Sequence, residues 1–93
     1  MTLEIVSPEA KLYSGEVTSV IVPGVDGEFQ MLNHHAAIVS LLAKGTIKVD
    51  ASRFVPTKEG ASRFTVGADK KNHLAIESGT LEMNDNKIII LVD

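Results

Sequence analysis

The sequence has 93 residues, no cysteine, no tryptophan, and a formal net charge of −3 from nine Lys and Arg against twelve Asp and Glu. This length leaves room for one domain, over residues 1–93, and it excludes most free-standing enzymes. A domain of this size buries only about 60–65% of the surface that its unfolded chain exposes, so its core must hold without disulfides or cysteine-bound metals. The composition, 44% hydrophobic and 23% charged, is typical of a globular domain rather than a disordered tail.

Charge and hydropathy patterning argue against several classes of partner. The chain has no cluster of Lys and Arg and only four aromatic residues, which disfavours nucleic-acid binding. Its longest apolar run, residues 88–92, is far shorter than the ~20 residues needed to cross a bilayer. The first residues show neither a signal peptide nor an Arg-rich transit pattern, so we expect a cytosolic protein without direct insertion into lipid.

Short runs of β-branched residues separated by turn residues predict an all-β fold. We expect Pro8 to end the first strand, and Pro23 and Gly24 to end the third. Segment 36–43 suits a helix or a buried strand, and its short length favours a strand. Residues 50–72 are expected to be irregular apart from one short strand. The candidate strands are 3–6, 11–14, 16–22, 28–32, 36–43, 46–49, 63–66, 73–77, 81–83 and 87–92. This number and spacing predict a sandwich or barrel.

Turn residues are predicted at Gly24, Asp26, Gly27 and Gly79. The Asp26-Gly27 pair is the strongest hairpin signal in the chain, because glycine accepts the positive φ that tight turns require. The segment around Gly24 leads from strand to strand, so no helix amino terminus is available there to bind phosphate. We therefore interpret these residues as structural.

The chain offers no self-contained catalytic site. His34 and His35 are neighbours, and neighbouring side chains on a strand point to opposite faces, so both could bind one metal only from a loop. A structural role is the better interpretation, and we predict no metal and no cofactor. No serine lies in a nucleophile elbow, and no spacing selects two carboxylates as an acid and base pair. An adaptor or assembly subunit is the class that the residues favour.

A set of short motifs resembles a known family. The motifs are Leu3-Glu4-Ile5-Val6-Ser7-Pro8-Glu9, Tyr13-Ser14-Gly15-Glu16-Val17, Val20-Ile21-Val22-Pro23-Gly24, Gly27-Glu28-Phe29, Glu77-Ser78-Gly79, Leu81-Glu82-Met83 and 88–93, with Leu32, His35-Ala36 and Gly45 between them. In this order they resemble the amino-terminal domain of the epsilon subunit of F-type ATP synthase, over roughly three quarters of the chain.

The resemblance implies a ten-stranded β-sandwich that binds the gamma subunit and rests on the polar loops of the membrane-embedded c-ring. It implies a non-catalytic rotor subunit that couples proton flow to ATP synthesis or hydrolysis, peripheral to the membrane at the cytoplasmic face of a bacterial inner membrane. By the same resemblance, Glu28, Asn33, His34 and His35 would face the c-ring.

The sequence departs from the family pattern in three places. Asn33-His34 and Ala37 stand where the family usually has Pro-Gly and proline, which predicts a less rigid loop. The stretch between Gly45 and Ser78 is longer than the pattern, as hairpin loops tolerate. The family's carboxy-terminal helical hairpin has no counterpart in these 93 residues, so we expect coupling without hairpin-mediated inhibition and no binding of ATP.

Two further interpretations stay open. One is a stand-alone β-sandwich binding module, with Asn33, His34 and His35 lining its site. The other is a metal-dependent enzyme, which would require a bound metal.

Overall fold

The computed structural model describes all 93 residues, which form ten strands and one short helix. The strands are β1 (Thr2–Val6), β2 (Lys11–Glu16), β3 (Ser19–Gly24), β4 (Gly27–Leu32), β5 (Ile38–Leu42), β6 (Gly45–Asp50), β7 (Phe64–Val66), β8 (Asn72–Ile76), β9 (Gly79–Asn84) and β10 (Lys87–Val92). The helix α1 (Lys58–Ala61) lies between β6 and β7. The structure contains no helix that is both long enough and apolar enough to span a membrane.

The strands form one curled sheet in the order β2-β1-β10-β9-β5-β3-β6-β8-β7, and β4 pairs with β3 outside this path. The first half (β2, β1, β10, β9, β5) and the second half (β4, β3, β6, β8, β7) join through the single residue pair Gly24 and Leu42. Most neighbouring strands are antiparallel, but β1 and β10 run parallel. The expectation of an all-β fold of about ten strands, organised as a β-sandwich, is confirmed.

The core lies between the two halves and follows from the alternation of side chains along each strand. Strand β1 alternates between outward and inward positions, with Leu3 and Ile5 buried, and β6 does the same with Ile47 and Val49. One cluster of 19 buried apolar side chains includes residues from both halves. Because this single cluster joins the two halves, they form one domain.

The structure corrects the predicted third strand. Residues 16–22 are not one strand, because Glu16 ends β2 and Ser19 begins β3. Between them, the Val17 N–H donates to the Met1 carbonyl and the Thr18 N–H donates to the Asp50 carbonyl, so the chain crosses from one half of the sheet to the other. Strand β3 also continues to Gly24.

Pro23 does not end β3 because of its place in the ladder. The pairing of β3 with β6 stops at Ile21, so no β6 carbonyl requires a donor from Pro23. The Pro23 carbonyl still accepts a hydrogen bond of 2.7 Å from the Ala43 N–H. A proline is tolerated where the ladder bond is not needed.

Residues 51–63 cover the open side of β2 and contain the unpredicted helix α1. Thr57 is its N-cap and accepts a hydrogen bond of 3.0 Å from the Gly60 N–H. The Thr57 hydroxyl donates to the Lys11 carbonyl at 2.6 Å, and its backbone N–H donates to the Leu12 carbonyl at 3.1 Å. Gly60 lies against Leu12 so closely that a Cβ there would collide with the Leu12 carbonyl oxygen.

Three aromatic rings attach the same segment to the core. The Phe54 ring stacks on Tyr13 at 4.7 Å between centroids and meets Phe64 edge-on at 4.9 Å. Burial raises the pKa of Tyr13, and the Glu16 carboxylate raises it further. Segment 51–63 therefore both packs against the core and occupies backbone acceptors on a strand edge that would otherwise be free.

Candidate functional site

The structure separates Glu28 from the other three predicted c-ring residues. Glu28 lies near the start of β4, and Asn33 follows the end of that strand. Five residues of extended chain place them about 17 Å apart. The Glu28 carboxylate lies 3.4 Å from the Lys48 ammonium on β6, and both side chains are partly exposed. Glu28 is therefore part of a strand surface and lies apart from the loop that carries the histidines.

Residues 33–37, which we call the histidine loop, bring Asn33, His34 and His35 together. The His34 backbone is left-handed, with φ of 61°, and its N–H donates to Asn86 Oδ1 at 2.7 Å. Asn33 Oδ1 accepts from Asn86 Nδ2 at 2.8 Å and from the Met1 ammonium at 3.1 Å. Both histidine side chains are exposed, and His35 Nδ1 lies 2.8 Å from the Ala36 carbonyl, to which it can only donate.

The histidines do not lie together with other side chains that could bind a metal ion. His73 lies on β8, where its Nε2 is 2.9 and 3.0 Å from the two carboxylate oxygens of Asp69. The backbone N–H of Lys71 holds the pKa of Asp69 below its ordinary value, and His73 lowers that pKa further. No group of three His, Cys, Asp or Glu side chains is arranged to hold a metal ion.

Of the four predicted turn residues, Asp26 lies in a turn, and Gly24, Gly27 and Gly79 are the end residues of strands. Gly24 and Gly27 pair across the β3–β4 hairpin around the turn residues Val25 and Asp26. Gly27 has a φ of 126°, where L residues are strained. Gly79 begins β9, and a Cβ there would lie 2.6 Å from the Leu91 carbonyl oxygen. Gly24 and Gly79 therefore allow close approach of backbone segments, whereas Gly27 is required for its positive φ.

Sequence reasoning missed an apolar surface on the outside of the first half of the sheet. Leu41 on β5 and Leu91 on β10 both align with Thr80 of β9, and their side chains are 61% and 52% exposed. Val39, the next outward residue on β5, is 77% exposed. Half-buried Ile89 and Val6 lie on the same outer face, on β10 and β1, and the polar residues Thr80 and Glu82 of β9 separate the β5 residues from those on β10. We call these five apolar residues the outer apolar patch.

A pattern in the sequence could have indicated this patch. A strand with one solvated face alternates apolar and polar residues, but residues 88–92 are apolar at every position. Such a run places apolar side chains on both faces of the strand. The outer face of the first half carries one ion pair, Glu4–Lys11, whereas the second half carries the Glu28–Lys48 and Asp69–His73 pairs.

Comparison with known proteins identifies the fold and the family. The family model described as "ATP synthase, Delta/Epsilon chain, beta-sandwich domain" matches residues 1–55, which is more than half of the chain. The chain belongs to this family. An ATP synthase epsilon chain of Helicobacter pylori (strain ATCC 700392 / 26695) is 32% identical over 93 residues, which are all of this chain and 63% of that protein. One from Neisseria meningitidis serogroup C (strain 053442) is 37% identical over 94 residues, covering all of this chain and 56% of that protein.

Solved structures show the same fold. A chain in the central stalk and c-ring structure of Tetrahymena thermophila mitochondrial ATP synthase matches with a TM-score of 0.74 at 16% identity, over 99% of this chain and 62% of that one. A chain from the Euglena gracilis mitochondrial ATP synthase, in a structure of OSCP, F1 and c-ring, matches with a TM-score of 0.73 at 22% identity, over 97% and 48% of the two chains. The resemblance noted in the sequence is confirmed, and the chain spans less than two thirds of the length of these relatives.

Proposed function

We propose that this chain is a non-catalytic sandwich of the ATP synthase central stalk that binds the gamma subunit and the c-ring and couples proton flow to ATP synthesis or hydrolysis. The observation that carries the proposal is the match of the whole chain to ATP synthase epsilon chains. By this proposal the chain is held at the cytoplasmic face of a bacterial membrane through its partners.

We assign the c-ring contact to β4 and the histidine loop. The exposed side chains of Glu28 and Gln30 lie along β4, and His34 and His35 follow at its end. Strand β4 pairs only with β3, so its other edge is open. A ring of identical polar loops repeats the same polar groups around its circumference. A polar strand edge about 17 Å long can contact such a ring both at Glu28 and at the histidine loop.

We assign the gamma contact to the outer apolar patch. Val39, Leu41 and Leu91 each expose more than half of their side-chain surface. Burying apolar surface contributes about 25 cal/mol per Å², and exposed apolar surface bordered by polar residues, here Thr80 and Glu82, marks interaction sites. The polar loops of a c-ring do not match this surface, so the other stalk partner is the better occupant.

Reconstitution tests the coupling role. In membrane vesicles, enzyme that lacks this chain should hydrolyse ATP with reduced proton pumping, and adding the purified chain should restore the pumping. Full pumping without the chain would contradict the proposal. A chain that recovers neither gamma nor c-ring subunits in a pull-down would favour the stand-alone binding module.

A matched pair of variants tests the gamma surface. Leu41→Glu places a charge in the outer apolar patch, and Val66→Glu places one on β7, where Val66 is 72% exposed. We expect the first variant to lose co-purification with gamma and the second to keep it. Equal binding of gamma by the two variants would refute the assignment.

A further inference from the structure

The turn between β9 and β10 is built around two residues with left-handed backbones. Asn84 pairs with Lys87 across the hairpin, and Asp85 and Asn86 between them have φ of 50° and 62°. Asparagine and aspartate tolerate this region better than most residues with a side chain. Asp85 is exposed, whereas Asn86 is half-buried and directed towards the histidine loop.

Asn86 uses three polar groups to join separate parts of the chain. Its Oδ1 accepts from the His34 N–H at 2.7 Å, its Nδ2 donates to Asn33 Oδ1 at 2.8 Å, and its carbonyl accepts from the Thr2 N–H at 3.1 Å. Asn33 Oδ1 also receives the Met1 ammonium, which lies 3.2 Å from the Glu16 carboxylate. Asn86 thus links the histidine loop to the β9–β10 turn through its side-chain amide, and the start of β1 to the same turn through its backbone carbonyl.

The histidine loop has few other restraints. Residues 33–37 contain neither proline nor glycine, and His34 has a φ of 61°, which is unfavourable for a residue with a Cβ. Within the loop, the His35 N–H donates to the Leu32 carbonyl and His35 Nδ1 lies near the Ala36 carbonyl. Three hydrogen bonds connect the loop to other segments: the Met1 ammonium and Asn86 Nδ2 both donate to Asn33 Oδ1, and the His34 N–H donates to Asn86 Oδ1. Only the bond to Asn86 Oδ1 holds the strained residue His34 itself.

We propose that Asn86 is a positioning residue that holds the histidine loop in its partner-binding conformation. The partner is the polar-loop surface of the c-ring, so this half of the inference rests on the proposed function. A loop already ordered before binding loses less conformational entropy when it binds, which raises affinity. Asn86 acts through Asn33 and His34 and does not itself need to touch the partner.

Hydrogen exchange on the purified full chain tests the positioning role without any partner. Asn86→Gly keeps a residue that tolerates the left-handed backbone and removes the side-chain amide. The control, Asp85→Gly, removes the exposed side chain of the neighbouring residue in the same turn. We expect the exchange rate of the His34 backbone amide to rise about tenfold in Asn86→Gly, which corresponds to the loss of one hydrogen bond. In the control, the same rate should change by less than about threefold. Unchanged exchange in Asn86→Gly, or an equal rise in both variants, would overturn the proposal.

A conservative variant separates the two hydrogen bonds. Asn86→Asp keeps an oxygen for the His34 N–H and places a second acceptor against Asn33 Oδ1. We expect it to protect His34 more than Asn86→Gly does, and to leave Asn33 more mobile than in the parent. Exchange at His34 as fast as in Asn86→Gly would show that the Oδ1 contact does not position the loop.

Binding measurements test the partner half. Asn86→Gly should weaken binding to purified c-ring several-fold and leave gamma binding unchanged, whereas Asp85→Gly should preserve both. Unchanged c-ring binding by Asn86→Gly would overturn the positioning role for this partner. Failure of the parent chain to bind the c-ring would instead refute the proposed function, and the exchange result would still decide whether Asn86 holds the loop.

Discussion

Replacing Thr57 with alanine should weaken the attachment of segment 51–63 to the edge of β2, while the backbone bond to Leu12 and the stacking of Phe54 on Tyr13 remain. The Thr57 hydroxyl accepts from the Gly60 N–H at 3.0 Å and donates its one proton to the Lys11 carbonyl at 2.6 Å. Loss of an N-cap costs about 1 kcal/mol, and loss of one more hydrogen bond costs about 1 kcal/mol. We therefore expect the free energy of unfolding to fall by about 2 kcal/mol, which for a domain of this size lowers Tm by about 8–16 °C.

Urea unfolding followed by far-UV circular dichroism measures this loss, and Thr57→Ser is the matched control because it keeps the hydroxyl. Tyr13 is the only tyrosine in a chain without tryptophan, and its ring stacks on Phe54 of the same segment. Its near-UV dichroism should therefore weaken in Thr57→Ala before the global transition. A Thr57→Ala variant within about 0.5 kcal/mol of the parent, or a Thr57→Ser variant equally destabilised, would refute the capping role.

Two further stability predictions concern the turns. Gly27→Ala should lower the free energy of unfolding by about 1–2 kcal/mol, because Gly27 has a φ of 126° and a Cβ there meets no other atom, so the cost is conformational. Urea midpoints against the neighbouring variant Asp26→Ala check this, and equal stability of both variants would contradict it. The pKa of Asp69 lies below its ordinary value in the folded chain, chiefly because its carboxylate accepts a hydrogen bond from the Lys71 N–H. The ionised carboxylate therefore stabilises the fold at a pH above the unfolded pKa. This contribution is lost as the pH falls through the folded pKa. In Asp69→Asn, the free energy of unfolding should therefore fall less steeply below about pH 4 than in the parent. The same pH dependence in both proteins would contradict a stabilising role for this carboxylate.

Most strands could be predicted because their evidence is local. Alternation and turn residues located all ten strands, including β5, whose apolar residues also suited a helix. Helix α1 was missed because four residues are too few to show helical periodicity, and only Thr57 at its start indicated a cap. The crossing at Val17 and Thr18 was missed because both residues also suit a strand, and the change of half depends on hydrogen bonds to Met1 and Asp50.

The candidate site was less predictable because its contacts are distant in sequence. Asn33 and Asn86 are 53 residues apart, and no local pattern pairs them. The resemblance groups Glu28 with His35, although the predicted strand 28–32 already implies that the two residues lie far apart, as the extended conformation of β4 shows. The outer apolar patch depends on the register of β5, β9 and β10, which the linear sequence does not specify.

The parallel pairing of β1 with β10 has a consequence for how the chain folds during synthesis. Strand β1 is made first, yet one of its two ladder partners begins only at Lys87. Until β10 leaves the ribosome, Leu3 and Ile5 lack the neighbours that bury them, and one edge of β1 is free to pair with other chains. Folding must then wait for contacts between nearly opposite ends of the sequence, which slows it. The nascent chain is therefore most exposed to aggregation just before synthesis of the sandwich is finished.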